Sequence, residues 1–503
     1  MTTTVPRTGA GAWLGLSVLA LATLLLAVDN TVLLLALPHL AADLNPSATE
    51  LLWITDVYGF MIAGFIITMG SLGDRIGRRR LLLIGSIMFG AASALAAYST
   101  STTMLIVARV LLGVAGAAIG PSALALVAGL FPGARQRAIA IGVFTACFMG
   151  GAAAGPVIGG LLLEHFWWGS VFLMGVPIMA LVVLGGLAYL PETGGGGSAR
   201  LDLASVALSM AALLPLVYGL KELADDPGQV VAYVAVLVGL VCGAAFVRRQ
   251  RTLAEPLLDM SLFANRSFRT ALLILALAMV TQGGVYLFVS QHLQLVEGLS
   301  PLSAGLWMAL PALGLVGGSL AAPVIAGRFR PGLVVGVGLV VSAAGFVVMV
   351  AGDGLVMLFT GVTIAFLGMA PVGALGLGLI VGSAPEERAG SASAIGECGG
   401  ELGIALGVAL LGSVGTAVYG GLATSPQAGD SLSEALDAAS GLAPAQAAAL
   451  IAEAQGAFTQ GLVVVSVISA VIVLALAVSS LTLLRHLRPI GQSGDGATIL
   501  RER

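Results

Sequence analysis

Four acidic residues stand where acids are costly. Asp29 lies in Leu26-Ala27-Val28-Asp29-Asn30-Thr31-Val32, Asp56 in Trp53-Ile54-Thr55-Asp56-Val57-Tyr58, and Glu397 and Glu401 in one apolar stretch at 390–417. A carboxylate inside an apolar helix is expensive, and such groups mark proton or ion pathways. They can take up and release a proton or, when ionised, pair with a cation. Glu397 and Glu401 are four residues apart, so they share one helix face about 6 Å apart along the axis. Two carboxylates that close repel when both are ionised, so their protonation is coupled, and the pair calls for a wet cavity. Asp29 and Asp56 have plainer alternatives: a hydrogen bond with Asn30 or Thr31 for the first, and contact with interfacial water for the second. All four are candidates for proton coupling and for contact with a cationic substrate.

One cation shares their predicament. Arg109 sits in Leu105-Ile106-Val107-Ala108-Arg109-Val110-Leu111-Leu112-Gly113. A guanidinium at that depth costs ~2.5–3.5 kcal/mol on insertion scales and needs a partner unless it snorkels to the surface. Tyr58, Phe148 and Tyr286 are the aromatic candidates for lining a substrate cavity; Phe60, Met61, Phe144, Met149, Phe288, Trp307 and Met308 read more simply as packing.

Two glycine-rich runs could move rather than bind. Gly70-Ser71-Leu72-Gly73-Asp74-Arg75-Ile76-Gly77-Arg78-Arg79-Arg80 lies between two apolar segments and reads as a tight loop. Gly70, Gly73 and Gly77 allow a sharp turn, Asp74 can cap or ion-pair, and Arg75, Arg78, Arg79 and Arg80 can grip carboxylates or lipid phosphates. The run is a candidate gate. Gly150-Gly151-Ala152-Ala153-Ala154-Gly155-Pro156-Val157-Ile158-Gly159-Gly160 combines small residues, which let a neighbouring helix approach, with Pro156, which removes one backbone hydrogen bond. Gly155 and Pro156 make this segment a pliable interface.

The elements that must hold these residues follow from composition. The chain has 503 residues, 58% hydrophobic and 9% charged, and its mean hydropathy is +1.04. A soluble fold could not hide that much apolar surface, so the chain is an all-α polytopic membrane protein. Cutting at charges and at Gly/Pro/Ser punctuation predicts about fourteen spans: 13–37, 50–70, 80–98, 102–124, 137–162, 167–190, 203–222, 229–248, 269–294, 302–326, 332–351, 355–379, 390–417 and 458–484. Arg75, Arg78, Arg79, Arg80, Arg135, Arg137, Arg248, Arg249, Arg251, Arg328, Arg330, Arg388 and Arg485 then fall on one side and Lys221 on the other. That bias places both termini in the cytoplasm. The expected organisation is a six-helix bundle over 1–192, a linker with two inserted helices over 193–265, and a second six-helix bundle over 266–484 that includes an extracellular loop at 418–457. A cytoplasmic tail covers 485–503. Gly194-Gly195-Gly196-Gly197-Ser198 reads as a flexible connection. Within the loop, Ser431-Leu432-Ser433-Glu434 resembles a capping box and Pro444 suits a first helical position, which predicts two short helices forming a hairpin outside the membrane. Gly327-Arg328-Phe329-Arg330-Pro331-Gly332 is a degenerate echo of the 70–80 run, as a parallel repeat would give.

Several classes are excluded by what the sequence lacks. No phosphate-binding loop is present, so ATP is not the direct energy source. No clustered His, Cys or Ser motif points to an enzyme, and Cys147, Cys242 and Cys398 are too scattered for a disulfide framework or a metal site. No cofactor, metal or nucleic acid is expected, no signalling domain is visible, and the N-terminal region shows no cleavable signal pattern.

Taken together, the 70–80 run, the Arg109 segment and the Gly151–Gly160 run resemble motifs of the major facilitator superfamily, and within it the fourteen-helix drug:proton antiporters. Further echoes are Asp29-Asn30-Thr31 leading to Ala36-Leu37-Pro38, Trp168-Gly169-Ser170-Val171-Phe172, and Gln291-His292-Leu293-Gln294 leading to Gly298-Leu299-Ser300-Pro301. The chain looks most like actinobacterial and staphylococcal exporters of quaternary ammonium compounds, dyes and fluoroquinolones. It departs at Gly169, where arginine is common, and in the acidity of Glu397-Cys398-Gly399-Gly400-Glu401. The resemblance implies two six-helix bundles around a central cavity, in a monomer of the bacterial plasma membrane. It implies efflux of lipophilic cationic drugs driven by the proton motive force. A narrower exporter of an endogenous metabolite, lipid or antibiotic would use the same fold.

Overall fold

A computed structural model describes residues 10–131, 134–192, 202–225, 228–253, 256, 258, 260–352, 354–385 and 389–485. Within these stretches a few side chains, Asp74 among them, lie outside the description, as do the 194–198 linker and the 486–503 tail.

The described chain is a succession of helices: α1 (Ala10–Leu44), α2 (Ala48–Ile76), α3 (Arg78–Ala97), α4 (Thr102–Leu130), α5 (Ala134–His165), α6 (Ser170–Leu173), α7 (Gly175–Tyr189), α8 (Leu203–Asp225), α9 (Val230–Thr252), α10 (Arg266–Gln291), α11 (Pro301–Ala326), α12 (Pro331–Ala351), α13 (Leu355–Gly382), α14 (Ala389–Leu406), α15 (Gly412–Leu422), α16 (Leu432–Ala439) and α17 (Pro444–Leu483). No strand occurs among the described residues. Twelve helical segments there are long and apolar enough to cross a membrane. The fourteen expected spans all fall on helices, the sixth divided between α6 and α7; α2, of 29 residues, and α8, of 23, fall outside the twelve.

Sequence chemistry sets the starts. Ser47, Ser101 and Ser300 each accept a backbone N–H from the first turn of α2, α4 and α11, and Asn265 does so for α10. Side-chain oxygens there satisfy amides that the helix leaves without partners. Large apolar residues are exposed along α9 (Val230, Tyr233, Leu237, Leu240), α11 (Leu313, Leu320, Val324) and α7 (Leu181, Leu184, Leu187). Water would penalise such faces; lipid does not, and helix association then rests on close packing.

Two expectations need correction. The 70–80 run is not a loop. Helix continues to Ile76 and resumes at Arg78, with Gly77 alone between them at φ 103°, a conformation that costs glycine little. The extracellular hairpin of two short helices is also wrong in its second half. α16 forms with Ser431 accepting from the Glu434 N–H, but the Glu434 carboxylate takes the Asp430 N–H instead of closing a capping box. Pro444 then opens a 40-residue helix that runs straight into the last span.

Packing groups the helices. α1 lies against α5 and α7, α2 against α4, and α3 against α4 and α7. Farther along the chain, α12 lies against α13 and α17, α11 against α13, and α10 against α14 and α17. The two sets meet where α5 crosses α11, α2 crosses α14 and α1 touches α10. α8 and α9 form a hairpin, and α8 leans on α2 and α15. Between α14 and α15, Gly407–Leu411 widens into a π-helical turn, a local distortion frequent near functional sites.

Candidate transport site

Arg109 organises the site. It is 2% exposed, so it does not snorkel. Its Nη1 donates to Asp29 Oδ2 at 3.2 Å, its Nε to the Ile54 carbonyl at 3.1 Å and its Nη2 to the Thr55 carbonyl at 3.5 Å. The guanidinium also lies over the Tyr58 ring, 4.4 Å from its centre, an attraction between a cation and the ring's negative face. One side chain thus ties α1, α2 and α4 together. Asp29 spends its charge on Arg109 rather than on its neighbours: Thr31 Oγ1 donates to the Ala27 and Val28 carbonyls.

Asp56 is buried, at 1% exposure, and accepts from Thr55 Oγ1 at 3.2 Å. The plainer alternative, contact with interfacial water, does not fit that burial. The Tyr58 hydroxyl, the Tyr286 hydroxyl and Gln282 Oε1 are buried with no hydrogen-bond partner among the described residues. Gln282 was not singled out from sequence; it lies one turn before Tyr286 on α10, and that spacing was the available signal. Tyr286 stacks on Phe366 at 6.4 Å. Phe148 is half-buried on α5 and makes no ring contact among the described residues.

Glu397 and Glu401 stand on α14, half-buried. Ser393 is hydrogen-bonded to the Glu397 carboxylate. Glu401 lies within electrostatic range of Glu397, and Tyr58 within range of both Asp29 and Glu401. Neither glutamate has a cationic partner within 4 Å among the described residues. Between them, Cys398 Sγ donates to the Ala63 carbonyl on α2 at 3.1 Å. Tyr58 thus carries the Arg109 guanidinium over its ring and lies within electrostatic range of Glu401 on the other set of helices.

At the Gly77 break, the Gly77 N–H donates to the Gly73 carbonyl at 3.0 Å. The Arg78 side chain crosses Gly73 so closely that a Cβ there would meet Arg78 Cδ at 2.8 Å. Arg75 is exposed, and a side chain on Gly70 would meet nothing. Arg79, which the sequence places among the gripping arginines but not among the gate residues, makes the described contacts of this run. Its Nε donates to the Gly186 carbonyl at 3.1 Å and its Nη2 to the Leu187 carbonyl at 2.7 Å, and with Arg80 it reaches Glu192 at 3.5 and 3.3 Å. A cation at the carbonyl-rich end of α7 is favoured by the helix dipole.

The glycine run of α5 meets two partners. A Cβ on Gly151 would lie 2.6 Å from the Leu24 carbonyl, and one on Gly155 or Gly159 would run into Thr31 or Val32 of α1. On the other side, a Cβ on Gly160 would lie 2.5 Å from the Pro301 carbonyl, and Gly305 of α11 abuts the Pro156 carbonyl. α5 continues as helix through Pro156. Nearby, Ser290 Oγ donates to the Leu34 carbonyl and Gln294 Nε2 to the Leu35 carbonyl, each at 3.0 Å, and Glu164 accepts from the Leu302 N–H at 3.4 Å. The two helix sets thus touch at the end opposite the arginines.

The sequence profile of the Major Facilitator Superfamily matches residues 19–408. The chain belongs to the major facilitator superfamily. It is 42% identical to the multidrug efflux pump LfrA of Mycolicibacterium smegmatis, over 95% of this chain and 97% of that protein. It is 38% identical to the methyl viologen resistance protein SmvA of Salmonella typhimurium, over 89% and 93%. Among solved structures, a bacterial homologue of the lysosomal transporter Spinster, inward-facing and unoccupied, superposes with a TM-score of 0.67 at 17% identity, over 94% of this chain and 98% of that one. The superfamily member described here is accordingly a multi-pass membrane transporter rather than an enzyme.

Proposed function

We propose that this superfamily member is a proton-coupled multidrug efflux antiporter that exports lipophilic organic cations by alternating access. The observation that carries this reading is the acidic face of α14: two glutamates one turn apart, without cationic partners among the described residues, on a helix that packs against α2. An ionised carboxylate pair attracts an organic cation, and protons compete for the same oxygens. The relatives named for multidrug efflux and for methyl viologen resistance support cationic cargo, since methyl viologen is a dication that two carboxylates can balance.

In this reading Asp29 is the second proton site. Protonating it cancels the charge facing Arg109, weakens the tie between α1 and α4, and frees the guanidinium to shift toward Tyr58. Asp56 belongs to the same acidic set, while Tyr58, Phe148 and Tyr286 offer ring faces to the cargo. The contacts of α5 with α11 and of α1 with α10 are the release gate. Gly70, Gly73, Asp74, Arg75, Gly77 and Arg78 form the opposing gate, and Gly155 with Pro156 lets α5 slide. The protein acts as a monomer in a bacterial plasma membrane, with both termini cytoplasmic and two six-helix bundles (1–192 and 266–484) flanking the inserted pair. The proton motive force is its energy source and no cofactor takes part.

The test is transport in proteoliposomes. An imposed proton gradient should drive uphill movement of ethidium and of a quaternary ammonium compound, and dissipating it should stop both. Movement that ignores the gradient overturns proton coupling. A susceptibility panel in a pump-deficient host separates a broad pump from a narrow exporter: protection against a single compound class overturns the multidrug reading.

A further inference from the structure

The inserted hairpin encloses a space that the transport reading does not use. Phe60 of α2, Val217 of α8, and Ala405 and Ala409 of the α14–α15 rod are buried together, and Met210 of α8 covers Gly64 of α2. The hairpin therefore lies over the seam between the two helix sets. Beside this contact, a cavity of 820 Å³ opens between α2, α8, α9 and α14, a size typical of ligand pockets. Its walls are mainly apolar, with Ala63, Leu213, Leu216, Leu240, Phe246 and Leu402 among them. Apart from Ser209 and Cys398, its polar groups all sit at one end: Arg248, Arg251 and Thr252, in the last turns of α9.

Two features say what fits. The first is length. Leu240 and Thr252 both line the cavity, and at 1.5 Å per residue they are about 18 Å apart along α9. That is close to one leaflet of a hydrocarbon core about 30 Å thick. The second is charge. Arg249 is engaged by Asp202 at 2.8 Å. Arg248 and Arg251 on either side are exposed and have no acidic partner within 4 Å among the described residues. Two exposed guanidinium groups, without acidic partners among the described residues, at one end of an apolar slot about one leaflet long match an anionic headgroup with its acyl chain. A lipophilic cation would meet repulsion at that end.

We propose that this crevice holds one anionic membrane lipid, with its acyl chain between the hairpin and the α2–α14 seam and its headgroup on Arg248 and Arg251. The lipid tail packs against Cys398 and Leu402, on the helix that carries Glu397 and Glu401, and keeps that flank of the seam dry.

Native mass spectrometry of the full-length protein in neutral detergent tests this, using phosphatidylglycerol and phosphatidylcholine of identical acyl chains. The wild type should retain one phosphatidylglycerol under activation that strips phosphatidylcholine, and soluble glycerol phosphate should not displace it. The double variant Arg248→Gln/Arg251→Gln should bind phosphatidylglycerol roughly tenfold more weakly, as the loss of charge-assisted contacts implies, while Arg328→Gln, an exposed arginine at the end of α11, should retain it. Gly243→Phe, which projects a ring into the slot, should displace the lipid with both arginines intact. Both arginine variants remove exposed charges only, so their folding is checked by unchanged thermal unfolding. Equal retention of the two lipids by the wild type overturns the proposal. So does unchanged retention in the double variant, or ethidium binding that strengthens when the arginines are removed and is lost in Gly243→Phe.

Discussion

Arg109 Nη1 and Asp29 Oδ2 lie 3.2 Å apart, both side chains at 5% exposure or less. This buried pair joins α4 to α1, and Arg109 also holds two carbonyls of α2. Taking one partner away from a buried pair leaves the other charge uncompensated, which costs roughly 3–5 kcal/mol. Here the carbonyls and the Tyr58 ring soften that penalty. Asp29→Asn should lower the thermal stability of the purified protein, and Asp29→Asn/Arg109→Gln should recover part of the loss. Single-variant losses that simply add in the double variant would mean that the two charges do not depend on each other.

The same pair bears on coupling. If protonation of Asp29 releases Arg109 in each cycle, Asp29→Asn is fixed in the released form. It should exchange substrate down a gradient yet fail to drive efflux uphill. Proteoliposomes that extrude dye against its gradient at the wild-type rate would remove Asp29 from the proton pathway.

Glu397 and Glu401 predict a different signature. Competition between a cation and protons for the same carboxylates means that substrate affinity rises with pH and that protons are released on binding. Glu397→Gln or Glu401→Gln should weaken a divalent cation more than a monovalent one, because each ionised carboxylate removed costs the dication one of two contacts. Binding followed from pH 5.5 to 8 in purified protein decides the point, and an affinity independent of pH rules out direct competition.

At the Gly77 break, Arg78 needs the bare surface of Gly73. Gly73→Val should push Arg78 aside and slow turnover while leaving substrate affinity close to wild type, because the contact lies far from the acidic face. Asp74→Asn should act in the same direction. Normal transport by both variants would reduce this run to an orientation signal.

The α8–α9 hairpin has its own pH limit. Hydrogen bonds from Arg249, above all, and from Ser205 bring the Asp202 carboxyl down to about 2, against about 3.9 in an unfolded chain. A depressed acid stabilises the fold fully above its unfolded value, so this contribution is complete above about pH 4 and fades as pH falls through about 2. At neutral pH, Asp202→Asn should raise proteolysis or hydrogen exchange at the start of α8. Protection equal to wild type would show that packing alone holds the hairpin.

What the sequence by itself determined follows from a local rule. A span needs about 20 apolar residues and dislikes charge, so the rods, their acids and Arg109 could be read from one window at a time. The same locality explains the errors at the ends. Hydropathy marks where the membrane stops and not where the helix stops, so the sequence alone separates 444–457 from the last span, although one helix runs through both. Glycines marked a turn at 70–80, but one residue with positive φ sufficed, because helix resumes at Arg78 and Arg79 anchors to the end of α7. Only the tertiary structure decided which charges meet. Asp29 and Arg109 are 80 residues apart, and an i to i+4 pattern states which face of a helix is polar without naming the helix it will face. The partnership is set by packing: small residues at Gly151, Gly155 and Gly159 bring α5 onto α1, while α2 packs on α4 and places Tyr58 and two of its carbonyls around the guanidinium.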